Sequence, residues 1–282
     1  MSNWILLMII DAFVISFSEV FKKKALKKNS IYEVSALFTI IAFIINLFFS
    51  KDAFSIDFRF LPIILLKSII IVVSWTFSIK AIEELQLGVY GMIKISRIVF
   101  TVILSCLFLG ESFSILTLIG MIIVIIGLIL VNTTNKGDKK KNSIKIIVLF
   151  VASCLGSAIS AIIDKRILQY ITSSQLQFWF YLFTSILFLI MLLVKEKKID
   201  IKIIHNNYWI SLISVCLVLS DRLLFWANSM PTSKVIIMIV LKQLSVVISV
   251  VLGKLIFKEK DIIKKLLYSI LIIIGVVMMT AF

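Results

Sequence analysis

Residues Asn132–Asn142 read NTTNKGDKKKN, and they form the longest polar run in the 282-residue chain. The run falls close to the middle of the chain, and apolar segments extend from it in both directions. Each segment is about 17 to 22 residues long, the length that an α-helix needs to cross a ~30 Å hydrocarbon layer. The run therefore predicts two groups of membrane-spanning helices joined by a polar linker.

The composition supports this prediction. Hydrophobic residues make up 61% of the chain and charged residues only 16%, against about 25% charged in a soluble domain. No segment alternates with a period of two, so we expect helices and not a β-barrel. Division at the charge clusters gives ten candidate spans: 3–21, 33–50, 60–79, 88–109, 114–132, 146–163, 175–194, 208–227, 235–253 and 266–282. The fold class predicted is an all-α integral membrane protein with ten transmembrane helices.

The two halves of the chain resemble each other. A constant shift of 148 positions superposes three polar or glycine residues on their counterparts: Lys94 on Lys242, Glu111 on Glu259 and Gly127 on Gly275. We therefore expect a first five-helix repeat at 1–134, a polar linker at 135–142 and a second five-helix repeat at 143–282. An odd number of spans in each copy inserts the two copies in opposite orientations, as in many secondary carriers.

The net charge of +15 indicates a membrane surface as the partner. The lysines cluster between apolar runs, whereas a nucleic-acid-binding protein carries them on a soluble face, so no nucleic-acid partner is expected. Most of them lie in one set of connections: 22–28, 136–145, 195–202 and 254–265. The positive-inside rule places this set in the cytoplasm and leaves both chain ends outside.

The sequence gives little support for a metal or cofactor site. The three cysteines lie in apolar runs without metal-ligand spacing, and the single histidine, His205, lies between spans. No GxxxxGK[ST] loop is present for ATP. We therefore expect no metal, no cofactor and no enzymatic activity.

Ionisable residues inside the predicted spans are the strongest functional signal. Each costs about 2.5–3.5 kcal/mol near a helix centre, so such residues turn toward a protein interior or a watery cavity. The candidates are Asp11, Glu19, Lys67, Lys94, Arg97, Asp221, Arg222 and Lys242. Helical spacing puts Tyr90, Lys94, Arg97 and Thr101 along one stripe of the fourth span. The corresponding stripe of the ninth span consists of Met238, Lys242, Ser245 and Ser249. Inverted repeats would bring Lys94 and Lys242 toward each other near the midplane.

Two mechanisms remain open from the residues alone. The lysines bind the carboxylate or phosphate of a substrate directly, or an acid such as Asp11 or Glu19 carries a proton or cation with the lysines as counter-ions. Asp221 is a third available anion, and it also has a possible local partner in Arg222. A further interpretation is that some of these charges pair with each other and only fix helix register.

Trp75 and Trp226 are the aromatic candidates for a cavity wall, since each falls within a span near the charged positions. Gln243, which follows Lys242 directly, completes the predicted substrate-binding group.

Two motifs carry a family resemblance. VILSCLFLGES (Val102–Ser112) precedes a span ending in IIGLILVN, and VVISVVLGKLIFKEK (Val246–Lys260) precedes one containing IIIGVVMM. This duplicated pattern resembles the ten-span EamA-type branch of the drug/metabolite transporter superfamily. The resemblance implies inverted repeats, a central cavity, and alternating-access transport of amino acids, nucleotide precursors, sugars or drugs.

Plastid sugar-phosphate exchangers are similar in using lysines of the fourth and ninth helices, positions that Lys94 and Lys242 match. Gln243 stands where those carriers have arginine, which speaks against a phosphate substrate. The resemblance also implies both chain ends in the cytoplasm, opposite to the charge distribution, so orientation stays open.

The function expected is a secondary transporter that moves a small metabolite, such as an amino acid or a related organic solute, across the cell membrane. A high content of lysine, isoleucine and asparagine is typical of an AT-rich bacterial genome and suggests the bacterial cytoplasmic membrane. The alternatives are an exchanger of organic anions or phosphorylated metabolites that uses the paired lysines, and a polytopic scaffold or sensor. Expected partners are the lipid bilayer, a small-molecule substrate, and a proton or cation.

Overall fold

A computed structural model describes residues 3–109, 114–134, 143–196, 203, 206–229, 241–259 and 261–280. Within these ranges the long elements are all α-helices, and two short 3-10 turns, Ala53–Ser55 and Phe58–Phe60, lie between the second and third of them. In chain order the helices are α1 Asn3–Ala25, α2 Ile31–Leu47, α3 Leu61–Glu84, α4 Leu87–Lys94, α5 Ser96–Leu109, α6 Ile115–Thr134, α7 Ser143–Ile167, α8 Ser173–Glu196, α9 Trp209–Ser229, α10 Leu244–Phe257 and α11 Ile262–Thr280.

These helices account for the ten predicted spans, because α4 and α5 together form the fourth. Five described segments combine sufficient length and hydropathy to cross a membrane: Trp4–Ala25, Phe58–Glu84, Leu87–Leu104, Ile144–Asp164 and Ser173–Glu196. Shorter apolar helices supplement them. Residues 235–240, where the ninth span was predicted to start, lie outside the described ranges. The protein is an all-α, multi-pass membrane protein.

Several helices are longer than the apolar pattern predicts. The first continues through Lys22, Lys23 and Lys24 to Ala25, and the third continues to Glu84. Lysine and glutamate are good helix formers, so a span that ends in them need not unwind where the apolar run stops. Local signals fix the starts: Ser30 and Glu33 form a reciprocal capping box at α2.

The packing of the helices is symmetric between the halves. In the first half α1 packs against α9 and α10, and in the second half its counterpart α7 packs against α3 and α5. Three further pairs join equivalent helices across the interface: α2 with α8, α4 with α10, and α6 with α11. Between them, α2 also packs against α9 and α3 against α8. This exchange of partners is the arrangement of two inverted five-helix repeats, whose main contacts lie between the repeats.

Both repeats break a helix at the same position. The fourth span is interrupted at Ile95 and the ninth at Gln243, which are 148 residues apart, the shift that superposes Lys94 on Lys242. The bonding is also the same, because Ile98 N donates to Ile95 O (2.8 Å) and Val246 N to Gln243 O (3.0 Å). Each break therefore follows directly after a lysine.

Glycines allow α6 and α11 to pack closely. A Cβ atom added at Gly127 would overlap the side chain of Ile272. One added at Gly275 would lie 2.8 Å from Val124 Cγ2 and 2.9 Å from the carbonyl oxygen of Gly120. Small residues at such contacts let helix backbones approach each other in a membrane. This pair of helices forms scaffold that is equivalent in the two repeats.

Candidate functional site

Lys94, the last residue of α4, is ion-paired with a buried carboxylate of α1. Its Nζ donates a hydrogen bond of 2.6 Å to Glu19 Oε1. The second carboxylate oxygen of Glu19 accepts a bond of 2.9 Å from the hydroxyl of Ser249 on α10. The side chain of Glu19 is 4% exposed and that of Lys94 is 39% exposed. One acid of the first helix thus joins the broken helices of both repeats.

Lys242 makes the equivalent contact with a second acid of α1. Its Nζ lies 3.3 Å from Asp11 Oδ2, and the other oxygen of Asp11 accepts a hydrogen bond from Ser220 on α9. Asp11 is completely buried, whereas the side chain of Lys242 is 34% exposed. In each pair, therefore, a buried acid contacts a lysine whose side chain is partly exposed.

The structure does not bring the two lysines to one shared anion. Asp11 and Glu19 are eight residues apart on one helix, which corresponds to about 12 Å along its axis. The pairs therefore lie at two levels of the bundle, although both project from one face of α1. The interpretation that the charges pair with each other applies to these four residues.

Asp221 belongs to the same electrostatic neighbourhood. It accepts a hydrogen bond from the buried Tyr181 hydroxyl of α8, and it lies within electrostatic reach of Asp11, Lys67 and Lys242. The adjacent Arg222 points elsewhere, with Nη2 donating to Asn46 Oδ1 at 2.9 Å. Asp221 and Arg222 are therefore not partners of each other in this structure.

The structure places two charged residues, Asp164 and Lys22, in surroundings that the sequence did not predict. Asp164 accepts a hydrogen bond from the buried Lys67, whose ammonium group also lies 4.4 Å from the centroid of the Phe180 ring. Lys22 was assigned to a connection, but it is part of α1 and lies within electrostatic reach of Glu19 and Lys94. Their positions beside Lys165 and Lys23 made both look like parts of loops.

The predicted aromatic residues pack differently from one another. The Tyr90 hydroxyl is 2.8 Å from Ser78 Oγ, and its ring stacks on Phe150 with centroids 4.5 Å apart. Trp75 is half-buried against Phe38 and Phe188. Tyr90 is thus held one turn from Lys94, while Trp75 belongs to an aromatic cluster between the second, third and seventh spans.

The other predicted binding residues differ in exposure. Gln243 is buried at the break of the ninth span. Arg97 follows the break of the fourth span and is exposed, although the charge of Asp164 reaches it. The side chain of Trp226 lies outside the part of the chain that the structure describes.

The described residues contain no cluster of three His, Cys, Asp or Glu side chains that could hold a metal ion. The site therefore consists of paired acids and lysines, hydroxyl groups and aromatic rings. Such a set can bind the charged groups of a small organic solute, or a proton, by exchange of ion-pair partners.

At one end of the bundle, the connection between α2 and α3 is bonded to the second repeat. Asp52 accepts a hydrogen bond of 2.6 Å from the Thr172 hydroxyl, and Trp179 Nε1 donates to the carbonyl oxygen of Ala53 at 2.9 Å. The bond from Thr172 lowers the pKa of Asp52, against a smaller opposing effect of burial.

Comparison with known proteins agrees with this architecture. The model of the EamA-like transporter family matches residues 2–133 and 144–281, on the two sides of the polar run. Among solved structures, one described only as "Crystal structure of protein" superposes with a TM-score of 0.67 over 98% of this chain and 96% of its own. Its sequence identity is 12%, so it supports the fold alone. No curated protein matches the chain.

The family model matches nearly the whole chain as two similar halves, and the helices show the same division through symmetric packing and equivalent breaks. This chain belongs to the EamA-like transporter family.

Proposed function

We propose that the protein is a secondary transporter that moves a small metabolite, such as an amino acid or a related zwitterion, across the bacterial cytoplasmic membrane by alternating access. The observation that carries this proposal is the equivalence of Lys94 and Lys242. Both end the first part of a broken helix, and each is paired with a buried acid of α1.

The ion pairs favour a solute that carries both charges. A buried acid that loses its counter-ion pays a large desolvation cost, so a substrate that removed only Lys94 from Glu19 would leave an uncompensated charge. A zwitterion replaces both partners, because its carboxylate binds the lysine while its ammonium group binds the acid. The partly exposed side chains of Lys94 and Lys242 are where such an exchange would begin.

We assign roles to the predicted residues on this basis. Lys94 and Lys242 bind the anionic group of the substrate, and Tyr90, Trp75, Arg97, Gln243 and Trp226 line the path or the binding space around them. Asp11, Glu19 and Asp221 bind the cationic group, or a coupling proton or cation. The two repeats, 1–134 and 143–282, move against each other about the linker at 135–142.

A second candidate function is the exchange of organic anions or phosphorylated metabolites. The partly exposed side chains of Lys94 and Lys242 favour it, because either lysine can turn from its acid toward an anion while the acid stays buried. In that case Glu19 and Asp11 would each bind a proton or cation when the paired lysine turns toward the substrate. A scaffold or sensor does not need acids buried inside its membrane-spanning helices.

Uptake into proteoliposomes tests the proposal. The panel contains zwitterionic amino acids, organic phosphates and cationic drugs, each with and without a proton gradient and with and without internal substrate. We expect transport of at least one zwitterion, and transport of organic phosphates only under exchange would instead establish the second candidate. A folded protein that moves no member of the panel under any gradient contradicts the transporter assignment.

Orientation needs a separate measurement. Single cysteines placed at positions 136–141 react with a membrane-impermeant maleimide from the side on which the linker lies. Labelling in right-side-out vesicles would place the linker outside, as cytoplasmic chain ends require, and labelling only in inverted vesicles would agree with the distribution of lysines.

A further inference from the structure

A buried cluster outside the two lysine pairs joins the repeats at one end of the bundle. Glu259, which follows α10, accepts hydrogen bonds from the backbone N–H groups of Leu87 and Gly88 at the start of α4. It also accepts a bond of 2.9 Å from Lys265 of α11, which donates in turn to Gln86. We call these five residues the Glu259 cluster. Glu259 and Lys265 belong to the second repeat, and the other three belong to the first.

The cluster is buried and closely fitted. The side chains of Lys265 and Glu259 are 1% and 6% exposed. A Cβ atom added at Gly253 would lie 2.7 Å from Glu259 Oε2, so the absence of a side chain there gives the carboxylate room to fold back toward α4. An acid at a helix N-terminus satisfies free N–H groups and interacts favourably with the helix dipole. This contact stabilises the approach of α4 to α10.

The position of the Glu259 cluster indicates that it closes one end of the bundle, in addition to stabilising the contact between α4 and α10. The connections that contain Leu85 and Glu259 lie at the same end of the bundle as the last turn of α1, where Lys23 donates to the carbonyl oxygen of Leu85. The cluster therefore closes the space between α1, α4 and α10 at this end. Opening of the bundle at this end requires that Glu259 leave the start of α4.

The short helix α4 links this closure to the substrate lysine. It has only eight residues, begins where Glu259 binds, and ends at Lys94 before the break at Ile95. The residues Leu87–Ile93 are all buried, so the helix is packed along its whole length. A helix of two turns moves as one body, and a displacement at its start therefore changes the position of Lys94 relative to Glu19.

We propose that the Glu259 cluster is the closed gate at the lysine-rich end of the transporter, and that α4 transmits its release to the Lys94–Glu19 pair. This inference rests on the proposed function, because a gate presupposes a transport path. Binding of a substrate at Lys94 then favours release of Glu259, and opening of the gate favours exchange at Lys94, as reciprocity of coupled sites requires.

Reactivity of Cys154 tests the gate without transport. Cys154 is buried, and its Sγ lies 3.9 Å from the carbonyl oxygen of Lys94, at the end of α4 opposite Glu259. In a Cys106→Ser, Cys216→Ser background, the rate of its modification by a hydrophilic methanethiosulfonate reagent in detergent reports displacement of α4. We expect Glu259→Gln to raise this rate about tenfold, corresponding to a population shift of about 1.4 kcal/mol.

Asp261→Asn is the matched control, because it neutralises an exposed acid two residues away in the same connection. It should leave the rate unchanged. An unchanged rate in a folded Glu259→Gln variant overturns the gate, and so does an equal rise in both variants. If Glu259→Gln does not fold, Lys265→Met carries the test, with a rise of about threefold expected and an unchanged rate again overturning the proposal.

The same variants separate this inference from the proposed function. A rise in Cys154 reactivity in a protein that transports nothing retains the coupled movement of α4 but refutes the transporter. Normal transport with no change in reactivity retains the transporter but refutes the gate.

Discussion

Lys94 donates a hydrogen bond of 2.6 Å to Glu19, and the two residues bring together the first helix and the broken fourth span. Ser249 of the second repeat binds the same carboxylate, so the pair lies at the interface between the two repeats. Changes at this pair should therefore affect stability as well as transport.

Removal of one partner should cost more than removal of both. Lys94→Met leaves Glu19 buried without its counter-ion, and we expect a loss of about 1–3 kcal/mol, below the 3–5 kcal/mol of a fully buried pair since Lys94 is partly exposed. Thermal unfolding in detergent should show a lower Tm for Lys94→Met than for the double variant Lys94→Met/Glu19→Gln. A double variant as unstable as the sum of both single variants would show that the pair is not coupled.

Lys242→Met should lower substrate uptake into proteoliposomes at least about tenfold, because it removes an ammonium group of the proposed binding site. Lys254→Met is the matched control, since it removes an exposed lysine from the same span. Lys242→Met should melt below this control, because the buried Asp11 loses its counter-ion, so uptake is compared per amount of folded protein. Equal uptake by the two would remove Lys242 from the site.

Gly275→Leu should destabilise the contact between α6 and α11. The new side chain has no space beside Val124 and the carbonyl oxygen of Gly120, and overpacking of this kind costs about 1–3 kcal/mol. Ile274→Leu changes the neighbouring exposed position and should leave the Tm within experimental error. An unchanged Tm in Gly275→Leu would show that α6 and α11 can move apart without a loss of stability.

The contact between Asp52 and Thr172 should depend on pH. The Thr172 hydroxyl lowers the pKa of Asp52 in the folded protein, so the contact contributes stability that is fully present above the unfolded value of about 3.9. This contribution is lost as the pH falls through the folded pKa.

Thr172→Val should therefore lower the Tm by a constant amount between about pH 7 and pH 5, and by progressively less below about pH 4. Thr172→Ser keeps the hydroxyl and should follow the wild type. A difference between the wild type and Thr172→Val that grows toward low pH would have the wrong sign for this contact.

Much of the architecture was predictable because it depends on composition and periodicity. The apolar runs predicted the spans, and the coincidence of Lys94 with Lys242 predicted the repeat. The helix breaks were not predictable, because Ile95 and Gln243 differ in chemistry and neither residue is a helix breaker. They became visible only through the backbone hydrogen bonds that Ile98 and Val246 make.

The sequence also could not predict which acid pairs with which lysine. The spacing of Asp11 and Glu19 placed both acids on one face of α1, but the choice of partner depends on the vertical registers of α4 and α10 against that face. The spans predicted to end at 21 and 163 stop just short of Lys22 and Asp164 for a related reason, since a cluster of basic residues resembles a loop even when the helix continues through it.

The acids that pair with Lys94 and Lys242 come from one copy of the duplicated unit. The end of α1, Phe21–Leu26, resembles the end of α7, Ile163–Leu168, at a shift of 142 positions, and this shift places Ser153 and Ala161 where α1 has Asp11 and Glu19. The two acids that pair with these lysines therefore have no acidic counterparts in α7, and the interface between the repeats is asymmetric in charge. We expect this asymmetry to make the two forms of the proposed transport cycle unequal in energy, so that one of them is preferred even without a gradient.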